Sequence, residues 1–280
     1  MKIIKNISEI TQIVSDFHKN KKQINLIPTM GNIHAGHLSL LTEAKKFDGI
    51  NIVSIFVNPA QFNEENDFTN YPKTFDTDVD ILAKAHCEII FAPSIKEIYP
   101  RGANSKKTVF KYRDILCDIS RSGHFDGVTT IVKILFDLIK PCRVFFGEKD
   151  FQQIIIIKQI INSYFPKITL ITCPTVRNND GLALSSRNKL ISKKAINKSG
   201  IIFETLLFVK NNFIKTSYKQ LIKNVKQKIE DISNFKLEYF EIRESETLNP
   251  YDEKNKKKSY RAFICVKVEG IRLIDNLLIN

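Results

Sequence analysis

The chain alternates short apolar runs rich in β-branched residues with stretches long enough for a helix, and this alternation limits its possible folds more than any other feature. The apolar runs are Ile24–Ile27, Ile50–Val57, Glu88–Ala92, Arg143–Phe146 and Ile168–Thr172. Apolar residues at helical spacing lie between them, over Leu38–Lys46, Thr74–Ala85 and Val128–Ile139. Because strands that alternate with helices indicate βαβ units, the sequence predicts an α/β domain built on a parallel sheet.

The sequence changes character after Arg187. Lysine and asparagine become frequent over Ser192–Lys228, where apolar residues keep helical spacing. Two strand-like runs, FKLEYFEIR and SYRAFICVKV, follow, and we interpret the polar loop DEKNKKK between them as a solvated hairpin connection. We therefore place a boundary near Val176, between a domain over residues 1–175 and a smaller α+β domain over residues 176–280.

Composition narrows the classes of function. The chain has 43 Lys+Arg against 30 Asp+Glu, a net charge of +13 that would suit nucleic acid, an anionic membrane or a polyphosphate substrate. The lysines are scattered among Ile and Asn, which indicates an overall compositional bias and not a clustered basic binding surface. Five cysteines without a C-x-x-C pair indicate reduced thiols in a cytosolic protein. The charged start MKIIKNISEI and the short aliphatic run Ile154–Ile157 predict neither export nor membrane insertion.

The stretch PTMGNIHAGHLSL marks the point where the first predicted strand ends and a helix begins. Such a turn places backbone N–H groups and the positive end of the helix at the carboxyl edge of the sheet, which favours an anion site. His34 and His37 lie three positions apart there, so both imidazoles can face one ligand. Taken alone, the pair also fits a metal site or two core histidines. The sequence has no H-E-x-x-H pattern nearby, and we predict no metal site.

Three further polar clusters follow predicted strands. Asn58 and Gln61 stand after the second run as neutral hydrogen-bonding groups. In VFFGEKDFQQ, Gly147 permits close backbone approach, Lys149 supplies a charge for phosphate, and Asp150 suits ribose hydroxyls. The stretch TVRNNDGLALSSRN ends in two hydroxyls and a guanidinium, a composition typical of a flexible phosphate-binding loop. Because open α/β sheets bind ligands at the carboxyl ends of their strands, the clusters together favour a nucleotide site.

Six stretches carry a family resemblance: PTMGNIHAGH, SIFVNPAQF, YPKTFDTD, GHFDGVTTIV, FGEKDFQQ and TVRNNDGLALSSRN. In order and spacing the chain resembles the pantothenate synthetases, the pantoate–β-alanine ligases of the nucleotidyltransferase superfamily. The match covers most of residues 24–190, and the C-terminal third agrees mainly in layout. The resemblance implies a Rossmann-like parallel sheet with an H-x-x-H nucleotide-binding turn, and a C-terminal domain that closes over the active site.

The same resemblance implies an ATP-dependent condensation of (R)-pantoate with β-alanine, through pantoyl adenylate, to pantothenate, AMP and pyrophosphate. It assigns catalytic roles to His34, His37, Lys149 and Arg187, with His37 as proton donor. It assigns pantoate binding to Gln61 and Gln153, and Gln61 also borders the β-alanine position. The residues that it assigns to ATP are Met30, Gly31, Asn32, Ile33, His34, Ala35, Gly36, His37, Gly147, Glu148, Lys149, Asp150, Val176, Leu184, Ser185, Ser186 and Arg187.

Partners and rival functions complete the expectation. The resemblance implies ATP with Mg²⁺, for which we name no protein ligand, and a cytoplasmic homodimer that binds neither nucleic acid nor membrane. One rival is another nucleotidyltransferase acting on a phosphorylated cofactor precursor, which should lack the pair Gln61 and Gln153. The other is a nucleic-acid-binding module, suggested by a pI near 9.4, which would need aromatic residues interleaved with a basic face.

Overall fold

A computed structural model of the chain describes residues 1–63, 65–103, 111–255 and 258–280. Its contacts divide the described residues into two compact units. The first unit comprises Met1–Glu148 and Gln153–Pro174, and the second comprises Lys149–Gln152 and Thr175–Asn280. In these same ranges, no helix combines the length and the apolar character needed to cross a membrane.

The first unit is built on a six-stranded parallel sheet with the strand order β1-β4-β3-β2-β5-β6. Its strands are β1 (Lys2–Ile4), β2 (Ile24–Thr29), β3 (Ile50–Ile55), β4 (Ile89–Phe91), β5 (Arg143–Gly147) and β6 (Thr169–Cys173). Its helices are α1 (Ile7–Lys19), α2 (Ala35–Ala44), α3 (Glu65–Thr69), α4 (Phe75–Lys84), α5 (Ile95–Ile98), α6 (Cys117–Ser120), α7 (His124–Ile139) and α8 (Phe151–Tyr164), the last beginning in residues grouped with the second unit. The parallel sheet predicted from the alternating runs is confirmed.

Both faces of this sheet are covered by helices. Alternate residues of β2 enter different cores, Leu26 on one face and Ile27 on the other. Helices α1, α7 and α8 contribute to the core that contains Leu26, whereas α2 and α4 contribute to the core that contains Ile27. Burial on both faces explains why the central strands β2 and β3 read as mainly apolar runs instead of alternating with polar residues.

Two helices begin earlier than their apolar spacing predicts. Helix α2 starts at Ala35 because the side chain of His34 accepts a hydrogen bond from a backbone N–H and caps the first turn. Helix α7 starts at His124, directly after Gly123, which adopts a left-handed backbone with φ 78°. Capping residues set both boundaries, and they lie outside the apolar pattern that we used for prediction.

The second unit contains an antiparallel three-stranded sheet in the order β7-β8-β9, with helices packed against it around its own core. Its elements are α9 (Lys193–Lys198), α10 (Ile201–Asn212), α11 (Tyr218–Glu230), β7 (Phe235–Glu244), β8 (Tyr260–Val268) and β9 (Ile271–Leu278). Glu269 and Gly270 join β8 to β9, and both have positive φ, as tight hairpins require. Strands β7 and β8 are the two predicted strand-like runs, while β9 was not predicted. Residues 256 and 257 of the predicted loop lie outside the described residues.

Candidate active site

The turn that carries the two histidines lies between β2 and α2, at the carboxyl end of a strand in the middle of the sheet. Gly31 and Asn32 have left-handed backbone angles, with φ of 79° and 50°. A Cβ atom on Gly31 would lie 2.9 Å from a carboxylate oxygen of Asp78, so the turn requires glycine for its angle and for its space. The backbone therefore folds tightly before the helix begins.

His34 and His37 stack on each other at the start of α2, with ring centroids 4.0 Å apart and ring planes inclined by 24°. The backbone N–H of Gly36 donates to Nδ1 of His34 over 3.1 Å. Because Nδ1 is the acceptor in this bond, the proton of a neutral His34 ring lies on Nε2. The structure thus brings the two rings together as the sequence predicted, with His34 held as a donor through Nε2.

Asp78, in the first turn of α4, holds the backbone of this turn. It is 1% exposed, and its two carboxylate oxygens accept hydrogen bonds from the N–H groups of Asn32 and Ile33, each over 2.8 Å. The Thr74 hydroxyl also donates to it over 3.1 Å. We expected the backbone N–H groups of the turn to form an open anion site; for Asn32 and Ile33 this was wrong, because a buried carboxylate occupies them.

Two other N–H groups of the same turn also have partners within the protein. Gly31 donates to the hydroxyl of Thr29 over 3.2 Å, and Gly36 donates to the ring of His34. These backbone donors of the turn are therefore engaged within the protein. Asp78 ends the stretch YPKTFDTD, which carries part of the family resemblance, but we assigned it no role, because acidic residues are common in the first turn of any helix.

Gln61 lies in a short 3-10 helix, Pro59–Gln61, that follows β3. Asn58 caps this helix, and its Nδ2 donates to Oε1 of Gln61 over 3.1 Å and to the carbonyl of Gly127 over 3.0 Å. With Oε1 so occupied, the Gln61 amide presents its Nε2 group, which lies 2.7 Å from the sulfur of Met30. Gln61 is thus next to the histidine turn and is oriented as a hydrogen-bond donor.

Helix α7 and Tyr99 also hold the segment from Asn58 to Gln61. Nδ1 of His124 lies 2.7 Å from the carbonyl oxygen of Gln61. A Cβ atom on Gly127 would lie 2.1 Å from the Ala60 carbonyl, so only glycine permits α7 to pack this closely. The Tyr99 hydroxyl donates to Oδ1 of Asn58 over 2.8 Å, and burial raises the pKa of Tyr99 to about 12, which keeps this donor protonated.

Gln153 lies in the first turn of α8 and is half-buried. This helix follows β5, whereas Gln61 follows β3, and these two strands flank β2. Both predicted pantoate residues therefore lie just after strands adjacent to the strand that carries the histidine turn. Glu148, the last residue of this part of the first unit, begins the 3-10 helix Glu148–Asp150.

Lys149 and Asp150 belong to the second unit and form an ion pair, with Nζ 3.3 Å from Oδ1. The side chain of Lys149 is only 18% exposed. Its carbonyl oxygen accepts a hydrogen bond from Nδ2 of Asn276 over 2.9 Å. The cation that we predicted for phosphate binding is therefore fixed at both its backbone and its side chain.

Val176 and Leu184 form the ends of a narrow hairpin-like loop in the second unit. The N–H of Leu184 donates to the carbonyl of Val176 over 2.9 Å, and Arg177 pairs with Ala183. Ser185 then caps the 3-10 helix Ser186–Leu190, and its hydroxyl accepts from the N–H of Arg187 over 3.3 Å. The adenine and phosphate-loop residues predicted from the sequence are thus parts of one continuous element.

Comparison with known proteins gives consistent findings. A family model described as pantoate-beta-alanine ligase matches residues 2–278. The pantothenate synthetase of Flavobacterium psychrophilum is 40% identical over 281 residues, covering 99% of each chain. That of Acetivibrio thermocellus is 38% identical over 283 residues, covering 100% of each chain.

Solved structures agree with these relatives. The crystal structure of pantothenate synthetase from Thermus thermophilus aligns with a TM-score of 0.91 at 30% identity, covering 100% of this chain and 99% of that one. Pantoate-beta-alanine ligase from Francisella tularensis, complexed with beta-gamma ATP and beta-alanine, aligns with a TM-score of 0.83 at 35% identity. That alignment covers 99% of this chain and 97% of the other.

Proposed function

The chain belongs to the pantoate-beta-alanine ligase family and is a ligase of pantoate and β-alanine, and we propose how its residues share that reaction. An unactivated carboxylate does not form an amide at neutral pH, so ATP must supply a leaving group. In the proposed course, the carboxylate of pantoate attacks the α-phosphorus of ATP and pyrophosphate departs. The amine of β-alanine then attacks the acyl carbon of pantoyl adenylate, and AMP departs. Family membership decides against the two rival functions.

The stacked histidines carry the phosphate chemistry in this proposal. Negative charge grows on the phosphate oxygens and on the departing pyrophosphate, and oriented N–H donors stabilise it most effectively. The supporting observation is the bond from Gly36 to Nδ1 of His34, which fixes the ring proton on Nε2. His37, stacked 4.0 Å away, is the proposed proton donor.

Gln61 and Gln153 are the proposed pantoate residues. A cation in their place would form an ion pair with the substrate carboxylate and lower its nucleophilicity, whereas a neutral amide orients it without that cost. The contact with Asn58 supports this role for Gln61, because it occupies Oε1 and leaves Nε2, which faces the Met30 sulfur, as the donor end of the amide. Gln61 also borders the β-alanine position in the proposal.

The nucleotide residues are assigned as the family resemblance implies. We assign the turn Met30–His37 to the nucleotide, with His34 and His37 on the phosphates. Gly147–Asp150 are assigned to ribose and phosphate, Val176 to adenine, and Leu184–Arg187 to the phosphate loop. Lys149 and Arg187 supply the cations, and Arg187 has the planar fork that binds two phosphate oxygens at once. Among the described residues, no group of three or more His, Cys, Asp and Glu side chains could hold a metal ion. Mg²⁺ enters the proposal with ATP, as the family resemblance implies.

Assembly and location rest on the family resemblance. The proposal includes a homodimer in the cytoplasm. A C-terminal domain that closes over the active site stays a prediction.

The proposal is tested with Gln61→Ala in an assay of pyrophosphate release from ATP, with and without pantoate. We expect the KM for pantoate to rise roughly 10-fold to 100-fold, the loss of one hydrogen bond to a charged group, while the KM for ATP stays near that of the parent enzyme. Gln12→Ala, on the exposed surface of α1, is the matched control. Equal losses for ATP and pantoate, or release without pantoate, would contradict the assignment.

A further inference from the structure

Strand β9 carries two adjacent polar residues, Asp275 and Asn276, that are 3% and 4% exposed. Burying a polar side chain costs free energy unless it is hydrogen-bonded, so the partners of these two residues indicate which segments they hold. Successive side chains of a strand point to opposite faces of the sheet. The two neighbours can therefore reach different segments of the chain.

Asp275 holds the loop between Val176 and Leu184. Both of its carboxylate oxygens pair with the guanidinium of Arg177, with Nη2 2.9 Å from Oδ1 and a second, very short contact from Nη1. Arg177 also donates to the carbonyl of Gly181 over 3.1 Å. Burial raises the pKa of Asp275, and the charge of Arg177 opposes this rise. The loop is thus anchored on one face of β9.

Asn276 holds the segment that contains Lys149. Its Nδ2 donates to the Lys149 carbonyl over 2.9 Å, and its Oδ1 accepts from Nη1 of Arg261 over 2.5 Å. The guanidinium of Arg261 in turn lies 3.9 Å from the ring centre of Phe151, two residues after Lys149. The side chain of Asn276 is therefore oriented by one neighbour so that its donor meets the backbone of the candidate phosphate-binding segment.

We propose that Asp275 and Asn276 are positioning residues for ATP, which together hold the Lys149 segment and the loop from Val176 to Arg187 in a fixed relation. The inference rests on the proposed nucleotide roles of Lys149 and Arg187. The two residues act through other groups and do not contact the reacting atoms in this proposal. Arg177 lies 98 positions from Asp275, and Lys149 lies 127 positions from Asn276. One strand therefore joins segments that are far apart in the sequence.

Asn276→Asp is the most informative substitution, because it keeps the shape and the oxygen that accepts from Arg261 but removes the donor to the Lys149 carbonyl. We expect the KM for ATP to rise, or single-turnover adenylation to slow, by about 10-fold to 100-fold, the scale of a small misplacement of a catalytic group. The KM values for pantoate and β-alanine stay near those of the parent enzyme. Asn276→Ala gives the same pattern with a larger loss of stability.

Glu238→Gln provides a matched control in the same sheet. Glu238 accepts three hydrogen bonds from Nε and Nη2 of Arg272, at distances down to 2.7 Å, and also pairs with Lys267, so its replacement removes ion pairs from this unit. We expect it to lower the midpoint of urea unfolding without changing the KM for ATP. A merely structural role for Asn276 would make the two variants behave alike, and that result would overturn the inference.

Lys149→Ala separates the inference from the proposed function. If Lys149→Ala weakens ATP use and Asn276→Asp, fully folded by circular dichroism, does not, the positioning role is refuted and the proposed function stands. If Lys149→Ala leaves ATP use intact, the proposed nucleotide role of Lys149 fails, and the inference fails with it. Loss of ATP use in both variants, with pantoate unaffected, supports the inference.

Discussion

Replacing Asp78 tests whether a buried carboxylate shapes the histidine turn. Asp78→Ala leaves the N–H groups of Asn32 and Ile33 without their acceptors at 2.8 Å. A buried amide that loses its partner costs about 1–3 kcal/mol, so the two together cost about 2–6 kcal/mol. Asp78→Asn keeps one oxygen and turns an N–H group toward the other amide, so about 1–3 kcal/mol is expected. Because domains are typically stable by about 5–15 kcal/mol, the Asn variant remains folded.

The consequence for catalysis follows from the backbone of the turn. Asn32 is held at φ 50°, in the left-handed region, which asparagine tolerates better than other non-glycine residues, and the Asp78 carboxylate fixes its N–H. Without the carboxylate the turn relaxes, and the stacked rings of His34 and His37 move with it. We expect adenylation by Asp78→Asn to slow by about 100-fold, the effect of a displacement near 1 Å.

Two measurements check this expectation. Urea unfolding gives the loss of free energy, and single-turnover release of pyrophosphate with saturating ATP and pantoate gives the adenylation rate. Asp76→Asn is the control, since Asp76 stands in the same helical turn of α4 but is exposed. Full adenylation by a folded Asp78→Asn, or equal behaviour of the two variants, would refute the reasoning.

Two further outcomes are expected. Arg187→Lys conserves charge but loses the planar fork, so the barrier of single-turnover adenylation rises by about 1–3 kcal/mol. The double variant Lys254→Gln with Lys258→Gln leaves the adenylation rate unchanged. A silent Arg187→Lys beside an inactive lysine variant would reverse the assignment. Burial raises the pKa of Cys87 from 9.0 to about 11. Its folded pKa exceeds its unfolded pKa, so its contribution to stability is present below pH 9 and is lost as pH rises through 11. Unfolding free energies measured from pH 8 to 11 fall more steeply for the parent than for Cys87→Val, and parallel curves would contradict this.

The sheet of the first unit was predictable because most of its strands lie within apolar runs separated by helices. Two strands escaped prediction for identifiable reasons. β1 spans only Lys2–Ile4 at the edge of the sheet, too short to leave a pattern. β9 contains Asp275 and Asn276, which are residue types that strands disfavour. The polar pair is tolerated there because Arg177 and other partners satisfy it, and that information is not local.

Some residues of the candidate site could be predicted from the sequence and others could not. His34 and His37 belong to a contiguous motif that can be read from the sequence, as does the stretch that contains Lys149. Asp78 accepts a hydrogen bond from the N–H of Asn32, which lies 46 residues away, so no short window of sequence contains both partners. The stretch YPKTFDTD that contains Asp78 carries part of the family resemblance, but its residue type indicated no role, since an aspartate in the first turn of a helix is most simply explained by the helix dipole.

Supporting residues of this kind fix the orientation of the imidazole and amide groups, which the motif residues cannot fix for themselves. An unpaired imidazole or glutamine amide has two orientations of similar energy, and only an external partner separates them. The Gly36 N–H does so for His34, and the Nδ2 group of Asn58 does so for Gln61. One partner is a backbone N–H and the other is the buried side-chain amide of Asn58, so both orientations are set before any substrate binds. Transition-state charge is stabilised best by donors that need no reorganisation, so loss of a partner is expected to slow adenylation even where the motif residue remains.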